Sequence, residues 1–477
     1  MESKALLIYL FFSVFFISIS NAQSEMSTIA LKGATIFDGN GKSIENGTIV
    51  IENNKISSVG ANEMRIPENA QIIDVSGKYI MPGLIDAHMH FFQTGFFDSR
   101  PDAADLRDTI PLENVIEYQK NHPERYYQTY LRSGITGVYD VGDYIWTLEF
   151  QKINDDNPLA PHTASAGPLI TPAPEELIGI FNVNGKNTFV HLGSEEQGRN
   201  AVIENSNAGT TGVKIWGFKP DDPEFLHKIK GVAEEIKNQN NKMIAHATNL
   251  KEAKMAMELG AKLLVHSVSD TLIDEEFLRL MKTNKTLYNP TIVVGRGYYN
   301  TYKALFEQNF EISDLNAVVD SKTRSMLQNA SAFRKFLNDE RAEALKSRLP
   351  MMDKRLKKEK QNMIANLKMV YDAGGTIVVG TDAGNPGTLH GISYYDEIEA
   401  MQQAGISAKD LIIMATKNGA MAMDRLEDFG TLESGKIADL IILEEDPSED
   451  ISNLRSISHV MRNGTLRNVK DAEDFKD

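Results

Sequence analysis

Two histidines at strand spacing are the first residues of this sequence that could do chemistry. His88 and His90 lie two residues apart in the stretch Pro82–His90. Residues two apart on a strand point to the same side, so both imidazoles face one way, with Asp86 beside them. Imidazoles about 6–7 Å apart along one strand can chelate a single metal ion. Alone, this His-x-His pair is a weak motif, because a buried histidine is often only a satisfied core residue.

Other candidate ligands follow short apolar runs elsewhere in the chain. His246 and His266 lie near the carboxyl ends of predicted strands, and Asp382 follows a third such run. In a TIM-type barrel the carboxyl ends of the strands form the face on which active sites are built. The sequence has no Cys, so a metal site must use His, Asp, Glu and Lys, which suits zinc or manganese. We assign no role to the histidines expected in loops or helices, which are His122, His162, His191, His227 and His459.

Lys214 is unusual because it lies within the apolar strand Gly212–Trp216. Its neighbours are expected to point outward, so its own side chain points into the barrel, where a lone ammonium is costly to bury. One interpretation is an ion pair with a carboxylate lower in the barrel. The other is that the amine has reacted with CO₂, since burial favours the neutral amine that attacks CO₂. The resulting carbamate is an anion that could bridge two metal ions.

The elements that must position these residues alternate between short strands and longer helical stretches. This alternation is typical of βαβ units and a parallel sheet. The fold class predicted is α/β, with a (β/α)₈ TIM-type barrel over residues 83–425. The clearest strands expected in it are Tyr139–Val141, Gly212–Trp216, Met243–Ala247, Leu263–Ser267 and Thr376–Thr381.

Both chain ends have a different pattern, made of short strands and Asp-Gly or Asn-Gly turns. We predict that residues 26–82 and 426–470 fold together as a small β-sandwich domain beside the barrel. Between the two lies a stretch with helical spacing, from Tyr298 to Tyr371, that is rich in Lys, Arg, Glu and Asn. It is interpreted either as an inserted helical hairpin that covers the mouth of the active site or as a solvated surface excursion.

The extreme N-terminus predicts export. Lys4 precedes the apolar run Ala5–Ile19, and small residues follow it where a signal peptidase requires them. We therefore expect a signal peptide over residues 1–22, a periplasmic or secreted protein, and no stable membrane insertion after the leader is removed. The alternative is an uncleaved membrane anchor. The net charge of −16, spread along the chain, argues against nucleic acid as a partner.

Taken in order, these motifs resemble the amidohydrolase superfamily, and are most similar to its imidazolonepropionase-like and Xaa-Pro-dipeptidase-like branch. The resemblance covers essentially the whole mature chain. It rests on Pro82–His90, the lysine strand, the histidines that end two later strands and Gly380-Thr381-Asp382-Ala383. Ala415-Thr416, Gly430-Thr431, Gly435–Leu440 and Asp446-Pro447 match the family's return into the small domain.

The resemblance implies a site with two divalent metal ions, expected to be zinc. His88, His90 and Asp382 would hold one ion, His246 and His266 the other, and carboxylated Lys214 would be shared between them. A hydroxide would bridge the ions, and Asp382 would carry a proton from it to the leaving group.

Two further residues are expected at the substrate. His390 lies beyond a flexible turn and is predicted to contact the substrate or the transition state, and Tyr139 is a candidate pocket residue. One departure from the family bears on specificity. Many relatives carry a Gly-Gly-His element after the third strand, whereas Ser165–Glu176 has no histidine. Specificity inferred from relatives therefore does not carry over to this chain.

The leading functional hypothesis is hydrolysis of an amide bond in a small peptide-like or N-acyl amino acid substrate. Alternatives are a mononuclear site acting on a cyclic amide, and a lactonase or phosphotriesterase, since the same hydroxide attacks several electrophiles. A non-enzymatic barrel scaffold is disfavoured because every expected ligand position is filled. An imidazolonepropionase proper is disfavoured by the leader. Members of the family are often homo-oligomers, and the sequence itself does not settle the oligomeric state.

Overall fold

The computed structural model describes residues 28–307, 310–337 and 339–476. The predicted signal peptide lies outside the described residues, and export stays a prediction. No helix within the described ranges is both long enough and apolar enough to cross a membrane.

The strands fall into a terminal group and a central group. The terminal strands are β1 (Thr28–Phe37), β2 (Ser43–Glu52), β3 (Lys55–Ala61), β4 (Gln71–Asp74), β5 (Tyr79–Pro82), β15 (Leu440–Leu443), β16 (Ile457–Arg462) and β17 (Thr465–Asn468). The central strands are β6 (Leu84–Met89), β7 (Ile135–Asp140), β8 (His162–Ser165), β9 (Leu169–Thr171), β10 (Phe189–His191), β11 (Val213–Trp216), β12 (Met243–His246), β13 (Leu263–Val265) and β14 (Leu287–Asn289).

Helices lie between the central strands and in the stretch that follows them. They are α1 (Leu112–Asn121), α2 (Glu124–Arg132), α3 (Thr147–Ile153), α4 (Glu175–Ile178), α5 (Glu195–Ala208), α6 (Pro223–Asn238), α7 (Leu250–Glu258), α8 (Glu275–Asn284), α9 (Val294–Ala304), α10 (Ser321–Gln328), α11 (Asp339–Asp372), α12 (Ser393–Gln402), α13 (Ala408–Ala415) and α14 (Lys417–Ala422). Short 3₁₀ turns occupy Phe97–Ser99, Gly179–Phe181, Ala330–Phe336, Ile451–Ser456 and Ala472–Phe475.

The central strands confirm the α/β alternation and the parallel pairing. One sheet of six has the order β10-β9-β11-β12-β13-β14, and a second of three has the order β6-β7-β8. All of these neighbours run parallel. Within the described ranges the pairing gives two parallel sheets rather than one closed barrel.

The predicted strand Thr376–Thr381 is not a regular strand, although it lies between the two sheets. Its backbone bonds to β14 on one side, where the Val378 amide donates to the Tyr288 carbonyl over 3.0 Å. On the other side the Ala87 amide of β6 donates to the Val379 carbonyl over 2.9 Å. Pairing on both sides is confined to single bridges, from Tyr288 to Ile377 and from Met89 to Ala383. The segment still ties the two sheets together.

Strands of both chain ends pair with one another, as expected, and are joined into one hydrogen-bonded set of eight strands. Their arrangement as a β-sandwich stays a prediction. The strand that joins them is β1, which is long and bulged. Its first half, Ile29–Lys32, pairs with β4, and after two register shifts Thr35 and Ile36 pair with β5. Strand β5 then pairs with β15, which joins the two ends of the chain. The domain boundaries stay predictions.

The alternation of side chains along β15 shows how this sheet supports the centre of the molecule. Leu440 and Ile442 pack in the sheet's own core, whereas Ile441 and Leu443 point into the larger core of the central strands and helices. A period of two puts successive side chains on opposite faces, so one apolar strand serves two cores.

Glu397 on α12 is a buried acid that makes stability depend on pH. Its Oε2 accepts a hydrogen bond from the Val293 amide at 3.0 Å, while its Oε1 lies buried with no partner among the described residues. Burial raises the pKa of Glu397 from 4.5 to about 8, against the effect of the backbone hydrogen bonds. The stability contributed by this raised pKa is fully present below about pH 4.5 and is lost as the pH rises through about 8.

The free energy of unfolding of the wild type should fall between pH 5 and pH 8.5. We predict that Glu397→Gln makes this fall smaller, by a few kcal/mol at most, because glutamine has no charge to desolvate. Urea unfolding of the wild type and the variant at both pH values measures this difference. The exposed Glu149→Gln, on α3, is the control and should follow the wild type. An equal fall in unfolding free energy in the Glu397→Gln protein would contradict the raised pKa of Glu397.

Candidate metal centre

Five of the predicted ligands lie at the carboxyl ends of three central strands and of the segment between the sheets, and Lys214 lies within a fourth strand. His88 is the last residue but one of β6, and His90 is the first residue after that strand. His246 is the last residue of β12, and His266 comes one residue after β13. Lys214 is the second residue of β11. Because neighbouring strands are parallel, these ends meet at one edge of the fold.

Three imidazoles lie around the carboxylate of Asp382, and Lys214 lies beside one of them. Its Oδ1 lies 3.0 Å from His90 Nε2 and 3.3 Å from His88 Nε2, and its Oδ2 lies 3.9 Å from His266 Nε2. Lys214 Nζ lies 3.3 Å from His88 Nε2. The ligand atoms of His88, His266 and Asp382 are all within 4.8 Å of one another, which is close enough for one ion to bind all three.

His246 completes the cluster from the side of β12. Its ring centroid lies 4.4 Å from that of His266 and 5.9 Å from that of Trp216. The structure therefore brings together every residue that was predicted to bind metal.

Backbone conformation brings two of these residues to the centre. His266 has φ = 79° and Asp382 has φ = 59°, both in the left-handed region that non-glycine residues rarely adopt. Such strain persists only where surrounding structure enforces it, and it is often found at functional sites. Asp86 supplies part of that enforcement, because its carboxylate accepts from the Thr381 amide at 3.0 Å and from the Thr381 hydroxyl at 2.7 Å. Asp86 thus anchors the segment that carries Asp382 and is not itself a ligand.

Acceptors behind the histidines orient the rings. His88 Nδ1 lies 3.1 Å from Asn289 Oδ1, and His90 Nδ1 lies 2.7 Å from the Gly142 carbonyl. His266 Nδ1 lies 2.6 Å from Thr291 Oγ1. A proton on Nδ1 leaves the lone pair on Nε2, the nitrogen that faces Asp382.

Electrostatics keep these groups in the protonation states that metal binding needs. Burial lowers the pKa of His88 and His246 well below the usual value and that of His266 to about 4, so the imidazoles are neutral. Burial alone would raise the pKa of Asp382, and only positive charge on the imidazoles around it, His88 first, would hold that pKa well below its usual range. With neutral imidazoles, the buried carboxylate needs a cation beside it. Neutral imidazoles beside a carboxylate are a donor set that fits a divalent transition metal.

Lys214 is buried without a carboxylate partner. Its side chain is only 2% exposed, and no carboxylate oxygen of the described chain lies within 4.0 Å of its Nζ. Burial lowers its pKa from 10.5 to about 8, although Asp382 and Asp140 oppose that shift. The interpretation of Lys214 as one half of a close ion pair is therefore wrong.

Two predicted substrate contacts lie elsewhere. Tyr139 is in the core, where its hydroxyl donates to the Thr211 carbonyl at 2.9 Å, and it does not line the cavity. Its position in β7 turns the ring away from the strand ends. His390 lies behind the metal ligands: its Nε2 donates to the His90 carbonyl at 3.0 Å and its ring stacks on Tyr126 at 4.0 Å. The turn before His390 folds inward, so His390 positions the His90 backbone.

Other side chains near the centre were missed by sequence reasoning. Asn289 and Thr291 hold ligand rings, and Asp140 lies 3.8 Å from His90 Nδ1. Polar residues at the ends of apolar strands were the available signal, as in Leu287-Tyr288-Asn289. Three histidines were also misplaced, because His162, His191 and His459 lie on strands β8, β10 and β16 rather than in loops or helices.

A cavity of about 660 Å³ opens above the cluster and is lined by His90, Lys214, His246, His266 and Asp382, among others. The helices of the predicted insertion form part of its wall. Arg296 and Tyr298 of α9, and Leu356 and Met363 of α11, line it. This favours the interpretation of the insertion as a cover over the mouth, built by helices α9 and α11 rather than by a simple hairpin.

The family model described as "Amidohydrolase family" matches residues 79–467. Ochratoxinase of Aspergillus niger is 24% identical over 481 residues, covering 93% of this chain and 87% of the relative. The crystal structure of that ochratoxinase matches with a TM-score of 0.67 at 22% identity, over 93% of this chain and 96% of the other. A Xaa-Pro dipeptidase with bound methionine matches with a TM-score of 0.66 at 23% identity, over 93% and 100%. At these identities the structural matches show a shared fold.

We predict that Asn289→Ala lowers the affinity for the first metal ion by about 10–100-fold, because His88 loses the acceptor that orients its ring. Competition with a chromophoric chelator measures the affinity. Asn418→Ala is the matched control, since the Asn418 amide donates to Ile377 in the same segment and touches no ligand. Equal affinities in the two variants would show that Asn289 does not support the centre.

Proposed function

The chain belongs to the amidohydrolase family and is a metal-dependent hydrolase; from that premise we propose that it cleaves the amide bond of a small peptide-like or N-acyl amino acid substrate. One observation carries the proposal: four imidazoles, one carboxylate and one buried lysine converge at a single cavity, and all of them except His88 line it. The Xaa-Pro dipeptidase and the ochratoxinase among its neighbours are amide-hydrolysing enzymes, which supports the same bond type here.

The donor set fits two divalent ions, which we expect to be zinc. His88, His90 and Asp382 would hold one ion, and His246 and His266 the other. When bound, such ions activate water as a nucleophile and polarise the scissile carbonyl.

We propose that Lys214 carries a carbamate shared by both ions. Its neutral amine attacks the carbon of CO₂ and releases one proton to solvent, so the group becomes an anion. Two features support this: the absence of a carboxylate within 4.0 Å of Nζ among the described residues, and the position of Nζ 3.3 Å from His88 Nε2. An unpaired ammonium at this depth is costly, whereas an anion among metal ligands is not.

We propose that Asp382 moves the proton. Its carboxylate lies at the centre of the cluster and also borders the cavity, so it can accept a proton from the attacking water and deliver it to the leaving nitrogen. Helices α9 and α11 exclude bulk water from one side of that exchange.

One observation favours the mononuclear alternative. Only His88, His266 and Asp382 stand out among the described residues as a compact three-ligand group, and that group alone would hold a single ion. This alternative goes with a cyclic amide substrate. Lactones and phosphotriesters are open to the same nucleophile and belong in any substrate panel.

We also propose that the central strands close into a TIM-type barrel. The bridges from the segment around Ile377 and Ala383 to β14 and β6 support closure on one side. On the other, the Thr211 amide before β11 donates to the Ser165 carbonyl of β8 over 2.9 Å.

We predict that the wild type hydrolyses members of a dipeptide and N-acyl amino acid panel and that Asp382→Asn lowers kcat by about 10²–10⁴-fold, because amide nitrogen cannot accept the proton. The melting temperature of the variant should stay close to that of the wild type. Asp221→Asn, at an exposed ion pair with Lys251, is the control and should be fully active. An active Asp382→Asn enzyme would remove Asp382 from the proton transfer.

Lys214→Ala should abolish hydrolysis, and short carboxylic acids such as acetate or propionate should restore part of it by replacing the bridging anion. Rates are measured with and without added acid, in buffer that contains bicarbonate. If Lys214→Ala hydrolyses substrate at the wild-type rate without added acid, Lys214 carries no bridging carbamate.

A further inference from the structure

An arc of aromatic rings forms one side of the cavity. It consists of four side chains, which we call the aromatic arc: Phe92, Phe181, Phe189 and Trp216. Successive ring centroids along it are 6.5 Å, 5.1 Å and 5.3 Å apart. These are normal spacings for aromatic pairs, so the rings form a continuous apolar surface.

Both ends of the aromatic arc meet metal ligands. Phe92 lies 6.0 Å from the ring of His90, and Trp216 lies 5.9 Å from the ring of His246. The arc therefore begins and ends at the reactive centre. A group that is attached to the scissile amide and turned toward this side has only ring faces and edges to contact.

The apolar surface continues from Phe181 to the mouth of the cavity. Strand β9 leads into α4, whose Leu177 and Ile178 line the cavity, followed by Ile180. Leu177 is 63% exposed, so its side chain is available to contact a ligand that reaches the mouth of the cavity.

Another part of the cavity lining is polar. The Arg100 guanidinium donates to the Asp102 carboxylate through Nε at 2.9 Å and through Nη2 at 2.7 Å, and it lies over the ring of Tyr298. The Tyr298 hydroxyl donates to Asn385 Oδ1 at 2.7 Å. A ligand with one apolar and one polar part is therefore oriented by the cavity, since a polar group against the arc would lose its hydrogen bonds.

From this arrangement we infer that the enzyme selects amides that carry a large aromatic group, which lies along the aromatic arc toward Leu177. The inference rests on the proposed amide hydrolysis and names its substrate class. Small acyl groups such as acetyl would leave the half-buried rings of Phe189 and Trp216 in contact with water, so they gain little from the arc.

The sequence provides its own reporter for this test. The chain has two tryptophans, Trp146 and Trp216, and only Trp216 lines the cavity. In full-length protein carrying Trp146→Phe, the fluorescence of Trp216 reports ligand binding directly. The probes are N-(2-naphthoyl)glycine and N-acetyl-3-(2-naphthyl)alanine, which place the ring on either side of the amide, with N-acetylglycine as the matched small ligand.

At least one naphthyl probe should bind about thirtyfold more tightly than N-acetylglycine. Leu177→Asn should weaken that probe by about three- to tenfold and leave N-acetylglycine unchanged. Leu272→Asn, at a leucine that is 52% exposed and away from the cavity, is the control and should change neither. Equal binding of all three probes, or equal effects of the two leucine variants, would overturn the inference.

Hydrolysis of the same three compounds by the wild type separates this inference from the proposed function. Tight naphthyl binding without cleavage of any amide would leave the aromatic arc in place and refute amide hydrolysis. Cleavage of all three with equal kcat/KM and equal affinity would support amide hydrolysis and refute selection by the arc.

Discussion

The buried carboxylate of Asp382 is the charge on which the arrangement of the centre depends. An anion at this depth is tolerated only where positive or polar groups compensate it, and three imidazoles from two separate strand ends approach it within 3.0–3.9 Å. The strained backbone at Asp382 aims the side chain inward, and the bonds from Asp86 to Thr381 hold that backbone in place. Divalent ions would neutralise the same charge more completely, and this neutralisation favours their binding to a donor set of this kind. The cavity walls then decide which amides reach it.

Much of the centre could be predicted because strand periodicity is local. A period of two fixes the common direction of His88 and His90, and a polar residue at the end of an apolar strand fixes its place on the fold, as for His246. The apolar neighbours of Lys214 likewise determined its inward direction. The α/β alternation followed from the same local signals, and the family match agrees with the resemblance read from the motifs.

The rest depends on contacts between distant parts of the chain. Asn289 and His88 are 201 positions apart in the sequence, and nothing in the sequence around either residue indicates that they pair. The direction of His390 depends on the stacking of its ring on Tyr126 and on the close approach of Gly387 to Gly297, which the local sequence does not specify. The terminal strands are joined through β1, and no turn signal in the sequence indicates the bulges of that strand. The aromatic arc joins residues from β6, β10 and β11 and their loops, so it is visible only after folding.

Counting metal ions tests the central claim most directly. The wild-type protein, equilibrated with zinc and bicarbonate and freed of loosely bound ions, is analysed by elemental mass spectrometry against protein concentration. The shared anionic ligand and the two sets of imidazoles predict about two ions per chain. About one ion per chain under the same conditions would contradict the two-ion centre and support a mononuclear site built on His88, His266 and Asp382.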